Sequence, residues 1–223
     1  MQEKDLQQSI MNGLSVPENI SEFFSQVEEF KKSIMKYQCV IRKLQSKLEI
    51  LNDELSIKKE RNPIEMIKYR VKEPRSIVEK LKRRGYPITV EAMEDHLTDI
   101  AGIRVICGFI EDIYTVSEIL REQDDIHILQ IKDYIKNPKP NGYRSFHMIV
   151  ETPVFFTRNK EPLCAEIQLR TMAMDFWASL EYQLKYKKNI ENPEIIASQL
   201  KDCAQIISST DLKMQDILNQ INK

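Results

Sequence analysis

Residues 163–169 read LCAEIQL, and their alternation decides the fold. In an extended chain Leu163, Ala165, Ile167 and Leu169 point to one side, and Glu166 and Gln168 to the other. A strand with one dry and one polar face belongs to a sheet packed on a core and open opposite it. Upstream, DIAGIRVICGF at 99–109 is rich in β-branched residues and bounded by glycine, which predicts a central strand. IHILQI (126–131) and RSFHMIVET (144–152) predict two more strands, with helices expected at about 111–122 and 170–188. The centre of the chain is therefore α/β.

Outward from this centre the pattern turns helical. Ile20, Phe23, Val27, Phe30, Ile34, Tyr37, Ile41, Leu44, Leu48, Leu51 and Leu55 alternate spacings of three and four, and residues 18–60 hold no Gly or Pro. A single long helix follows, whose apolar stripe must lie across its own domain, build a subunit interface, or do both. Asn62 and Pro63 end it. After Gly85 and Pro87, a short helical segment runs through Met93. The tail shows two further apolar-periodic helical stretches, one from Ile195 to Ile207 and one from Leu212 to Ile221, expected to serve packing or assembly. The chain divides into an N-terminal helical extension (1–60), a central domain (61–190) and a C-terminal helical tail (191–223).

Composition names no partner: 33 basic residues stand against 34 acidic ones, with 42% hydrophobic and 30% charged residues, as in an ordinary soluble globule. No apolar run reaches the roughly 20 residues of a membrane span, and MQEKDLQQSI lacks the order of a signal peptide, so a cytoplasmic protein without membrane contact is expected. Cys39, Cys107, Cys164 and Cys203 are widely spaced, and buried free thiols are expected of them.

The charge that matters is local. KYRVKEPRSIVEKLKRR, from Lys68 to Arg84, carries eight basic and two acidic residues. Pro74 suits a first helical turn, after which Ser76, Lys80 and Arg83 share one face and Ile77, Val78 and Leu81 the other. Asp99, at a strand end, and Glu166, within a strand, could converge on a divalent cation; ion pairs with Arg104 or Arg170 fit the same pattern. Beside so many cations, a carboxylate pair suits a metal–nucleoside triphosphate, the carboxylates holding the ion and the cations the phosphates. A solvated basic helix, or one touching nucleic acid, is the alternative. No GxxxxGK[ST] motif is present, which excludes a P-loop.

A second site lies in DYIKNPKPNGYRSFH (133–147). Lys136 and Lys139 can neutralise phosphate, Pro138 and Pro140 stiffen the loop, and Gly142 permits a backbone geometry or a close approach closed to other residues. Tyr143 can stack on a nucleobase or serve as a core tyrosine at a strand start, and His147 can touch phosphate or ribose or be structural.

These stretches, YIKNPKPNGYRSFH with DIAGIRVIC and EIQLRTMAMDFWASLEYQLKYK, resemble the synthetase domain of the RelA/SpoT homologues, and the short length resembles the stand-alone small alarmone synthetases. The similarity covers roughly residues 60–190. It implies a nucleotidyltransferase-like mixed sheet flanked by helices, and transfer of pyrophosphate from ATP to the ribose 3′-hydroxyl of GTP or GDP with release of AMP. By this resemblance Asp99 and Glu166 are the Mg²⁺-associated carboxylates, Glu166 also activating the 3′-hydroxyl. Arg70, Lys72, Ser76, Lys80 and Arg83 match the motif that grips ATP phosphates, with Arg75 the alternative to Arg70, and Arg70 and Arg104 match arginines that sandwich adenine. Tyr143 corresponds to the guanine-stacking tyrosine, and Lys139, Asn141, His147 and Gln168 to acceptor-side positions, near which Lys136 also falls. Assembly as a homotetramer through the terminal helices is implied, as is an allosteric nucleotide or metal, since some relatives respond to pppGpp and others to zinc. His96, His127 and His147 form no His-Asp dipeptide, so no hydrolase activity is expected. Two other classes fit the residues: an idle binder of nucleotide or single-stranded RNA, and a nucleotidyltransferase that would release pyrophosphate instead of AMP.

Overall fold

The computed structural model describes residues 20–185 and 192–222. Helix α1 (Ile20–Lys59) leads into β1 (Ile64–Val71), α2 (Pro74–Arg84), α3 (Val90–His96), β2 (Ala101–Cys107), α4 (Ile110–Arg121), β3 (His127–Asp133), β4 (Phe146–Phe155), β5 (Lys160–Thr171), α5 (Met172–Lys185) and α6 (Pro193–Ile221). The strands form one five-stranded sheet in the order β1-β2-β5-β4-β3. Only β2 and β5 run parallel; the other pairs are antiparallel, so the sheet is mixed.

β5 alternates as its sequence demands, with Leu163, Ala165, Ile167 and Leu169 buried and Glu166 and Gln168 half-exposed on the opposite face. It is also the middle strand of the sheet, so β2, expected at the centre, lies beside it. The dry face is covered by α1, through Tyr37, Val40, Ile41, Leu44, Leu48, Leu51 and Leu55, and by α4, through Ile113, Val116 and Leu120. From Tyr37 onward, then, the apolar stripe of α1 lies across its own domain. The side chains of Ile20 and Phe23, and residues 18–19, fall outside the described residues. Arg61, just past α1, locks the layer by donating from both Nη1 (2.6 Å) and Nη2 (2.9 Å) to the buried carboxylate of Asp112 on α4.

Four readings of the sequence are corrected by the structure. β1 was not legible, because IEMIKYRV is half charged or polar and reads as part of a basic run; it is an edge strand whose outward side is exposed. The tail is one continuous 29-residue helix. Ser208 to Asp211, which break the apolar run, do not break the helix, because Ser209 and Thr210 satisfy their hydroxyls on the carbonyls of Gln205 and Ile206 one turn back. Of the cysteines, all free, only Cys107 is buried; Cys203 is exposed, since its apolar neighbours belong to other faces of α6. The helix expected at 170–188 begins two residues later, because Arg170 and Thr171 still pair with β2, and residues 186–188 lie outside the described residues. No described helix is long and apolar enough to cross a membrane.

Candidate active site

Strand register places the polar side chains. On the open face, Lys68 of β1 stands opposite Arg104 of β2, Arg104 opposite Gln168 of β5, and Gln168 opposite His147 of β4. The next row sets Arg70 opposite Gly102, and Gly102 opposite Glu166. With no side chain at Gly102, a cleft of about 250 Å³ opens over the sheet, walled by Lys68, Arg70, Lys72, Asp99, Arg104, Glu166 and Gln168. A separate hollow of about 180 Å³ between α1, α2 and α3 is lined mainly by aliphatic side chains such as Val27, Ile77, Leu81 and Met93, which do not suit phosphates.

Asp99 sits in the turn before β2, where α2 presents Lys80 to it. Its Oδ2 accepts from Lys72 Nζ (2.9 Å) and Lys80 Nζ (2.5 Å), while Oδ1 is buried without a partner. Burial pushes this carboxyl up, but the two lysines outweigh it and hold Asp99 below its ordinary value, ionised. Glu166 is treated alike: burial raises it, and His147 and Gln168 together bring it below the usual carboxylate range. Its Oε1 lies 3.0 Å from His147 Nδ1, and its Oε2 accepts from Gln168 Nε2 at 2.8 Å. A carboxylate only accepts, so Nδ1 carries the hydrogen, and Nε2 takes the Tyr143 hydroxyl at 2.8 Å. Tyr143 Oη in turn accepts from Arg170 Nη2 at 2.7 Å.

The loop from Tyr134 to Ser145 lies beside the cleft and reaches it through Tyr143, His147 and Glu166. Lys139, Pro140, Asn141 and Gly142 form a tight turn closed by Gly142 N donating to Lys139 O at 2.8 Å. Asn141 Nδ2 donates to Glu181 on α5, and Gly142, at φ +89°, packs against Ala204 of α6. Both expected uses of this glycine hold, positive φ and close approach. The ammonium of Lys139 sits 4.7 Å from the centroid of the Tyr143 ring and 4.6 Å from that of Tyr134.

Sequence comparison decides what this cleft belongs to. A family profile described as "Region found in RelA / SpoT proteins" matches residues 69–191. The chain belongs to the RelA/SpoT family. It is 45% identical over 196 residues to the GTP pyrophosphokinase YwaC of Bacillus subtilis, covering 88% of this chain and 93% of that one. Among solved structures, the small alarmone synthetase 2 of Bacillus subtilis superposes with a TM-score of 0.78 at 44% identity, covering 86% of this chain and 99% of that one. The small alarmone synthetase 1 of the same organism, bound to its product pppGpp, gives 0.80 at 32% identity, covering 88% and 100%.

Within this RelA/SpoT frame the expected residues separate into two groups. Arg70, Lys72, Asp99, Arg104, Glu166 and Gln168 meet at the cleft, Lys80 reaches it through Asp99, and His147 and Tyr143 reach it through Glu166. Of the alternatives at the first basic position, Arg70 lines the cleft, whereas Arg75 is exposed and paired with Glu79. Ser76 and Arg83 do not line the cleft. Lys136 lies over the ring of Tyr114, 4.0 Å from Asp133, because Asp133 Oδ1 holds its backbone in a turn facing α4. Asp99 and Glu166 pair with Lys72, Lys80 and His147, not with Arg104 or Arg170; those two arginines share Asp175 instead. Asp175 and Tyr134 were not picked out from sequence. The available signal for Asp175 was an acid inside the apolar run MAMDFWASL.

Proposed function

We propose that this chain is a (p)ppGpp synthetase that moves the pyrophosphoryl group of ATP to the 3′-hydroxyl of GTP or GDP and releases AMP. The observation that carries this reading is the pairing, in one cleft, of two ionised carboxylates with a wall of cations, in a chain of this family. In the transfer the 3′-oxygen attacks the β-phosphorus of ATP, the bond from that phosphorus to the α,β-bridging oxygen breaks, and AMP leaves with the oxygen. Glu166 takes the hydroxyl proton, its carboxylate being ionised and aimed by His147 and Gln168. Arg70, Lys72 and Lys80 offset the phosphate charge, with Ser76 and Arg83 further along α2, and Arg70 and Arg104 sandwich the adenine. Lys139 leaves the Tyr143 ring for phosphate as guanine stacks there, and Asn141, which already holds the turn, keeps that ring in place.

The residues fit Mg²⁺. Asp99 Oδ1 is a hard oxygen, buried and without a partner, and Glu166 faces the same cleft. When bound there the ion would draw negative charge from the phosphates. Two carboxylates leave the rest of its shell to phosphate and water. The reading extends to work in the cytoplasm and to assembly as a homotetramer through the terminal helices. Ile195, Ile206, Leu212, Ile217 and Ile221, exposed on α6, support the assembly.

Incubation with Mg²⁺, GTP or GDP, and ATP labelled at the γ-phosphate tests the proposal. Label should appear on the guanosine nucleotide with an equal amount of AMP, and excess chelator should stop it. Release of pyrophosphate from ATP would mean nucleotidyl transfer instead, and bound GTP without transfer would mean a binding module. Glu166→Ala should abolish turnover with little effect on GTP affinity, and unchanged turnover would remove Glu166 from the mechanism. Tyr143→Ala should weaken acceptor use far more than ATP binding.

A further inference from the structure

The network behind the cleft has a centre of its own. Asp175, in the first turn of α5 and 7% exposed, accepts through Oδ1 from Arg104 Nη1 and Arg170 Nη1, each at 3.1 Å, and through Oδ2 from Lys68 Nζ at 3.0 Å. One carboxylate thus holds a cation from each of β1, β2 and β5. Arg170, 4% exposed, uses the rest of its fork on the opposite side: Nη2 donates to Tyr143 Oη (2.7 Å) and Gln168 Oε1 (3.1 Å), and Nε to Ser145 Oγ (3.4 Å). Neither Asp175 nor Arg170 lines the cleft. Lys68 and Arg104 wall its donor side, and Tyr143 belongs to the acceptor loop.

We propose that Arg170 and Asp175 act together as a positioning strut for the transfer: they touch neither nucleotide, and they fix the donor-side cations relative to the acceptor-side tyrosine and glutamine. The proposal rests on the pyrophosphoryl-transfer reading. Transfer between two bound nucleotides depends on their relative placement, and a displacement of about 1 Å far from the chemistry can cost on the order of 10²-fold in rate. Each half-site, by contrast, keeps its own contacts when the strut is cut. A rigid planar fork is required, because one ammonium cannot reach Asp175, Tyr143 and Gln168 at once.

The test measures kcat with labelled ATP and GTP, the Kd of each nucleotide alone, and the folded fraction, for Asp175→Asn, Arg170→Lys and the double variant. The strut requires kcat per folded molecule to fall by about 10- to 100-fold while each Kd stays within about threefold. It also requires Arg170→Lys to give no rescue, and the double variant to be no worse than the poorer single one. A kcat within about twofold of wild type, rescue by lysine, or a loss confined to the Kd of one nucleotide overturns it. Should a buried-charge variant fail to fold, Tyr143→Phe keeps the ring and removes the hydroxyl that joins Arg170 to His147; kcat should still drop with GTP affinity retained, and an unchanged kcat overturns the acceptor arm. Wild-type protein that forms no labelled product takes down the transfer reading and the strut together, whereas active wild type with unaffected variants takes down the strut alone.

Discussion

Gly142→Ala tests how the loop proposed to hold the acceptor nucleotide is fixed. The added Cβ would lie 2.6 Å from Ala204 Cβ, where carbon atoms rest at about 3.5–4.0 Å, and the backbone there has φ +89°. Ala204 Cβ is fixed to a helix backbone and cannot swing aside. A positive φ on a residue with a Cβ costs roughly 1–2 kcal/mol. Overpacking adds roughly 1–3 kcal/mol, for a total of about 2–5 kcal/mol against a typical domain stability of about 5–15. The loop is smaller than α6 and should give way first, lifting Tyr143, the next residue, and straining the Asn141–Glu181 bond. Urea unfolding and nucleotide titrations then report the two halves of the effect: stability falls, and GTP affinity falls more than ATP affinity. Adding Ala204→Gly removes the atom that is struck and should return the packing part, about 1–3 kcal/mol less the roughly 1 kcal/mol that a helical glycine costs, leaving the φ part in place. A Gly142→Ala protein within about 0.5 kcal/mol of wild type, with GTP affinity unchanged, would refute the packing argument.

Two further perturbations probe the scaffold. Leu44, fully buried on α1, anchors the helix to the dry face, so Leu44→Ala should cost about 2–5 kcal/mol in denaturant unfolding; a loss under about 1 kcal/mol would mean that α1 is not part of the core. Asp211 on α6 accepts from Thr171 Oγ1 at 2.6 Å, and burial pushes its carboxyl above the ordinary value despite that bond and the charge of Arg144. The folded chain therefore holds this proton more tightly than the unfolded one, and its contribution to stability grows as pH falls through the folded pKa toward the unfolded value. Asp211→Asn keeps an acceptor for Thr171 and should melt roughly 2–4 °C higher at pH 8 per ~1 kcal/mol relieved, with a weaker gain on acidification than wild type. A lower melting temperature at pH 8 would show that the ionised carboxylate is favourable there.

Much of this architecture was readable residue by residue. LCAEIQL gave its faces by alternation, the stripe from Tyr37 to Leu55 gave a core helix, and Pro74 and Gly85 marked the ends of α2, Gly85 stopping it at φ +76° with its N–H on Lys82 O. Strand β1 escaped because an edge strand with an exposed face carries the composition of a surface, and Lys68, Arg70 and Lys72 looked like part of a helix-bearing basic run. The motif residues were found because short-range chemistry, lysines with prolines in a loop or acids within strands, leaves a local signature. What they do to one another was not.

The sequence by itself determined which side chains are polar on an apolar scaffold, because period-two and heptad patterns are local and a misplaced charge in a core is costly. It also carried the family. Partnership was decided only in three dimensions. That Asp99 keeps one oxygen bare while two lysines share the other depends on α2 crossing the end of β2, and that Arg104 and Arg170 converge on Asp175 depends on β2 and β5 being parallel neighbours although β3 and β4 intervene in the chain. Ion pairs are formed by whichever charges the packing brings within a few ångströms, and a linear sequence records the charges without the distances.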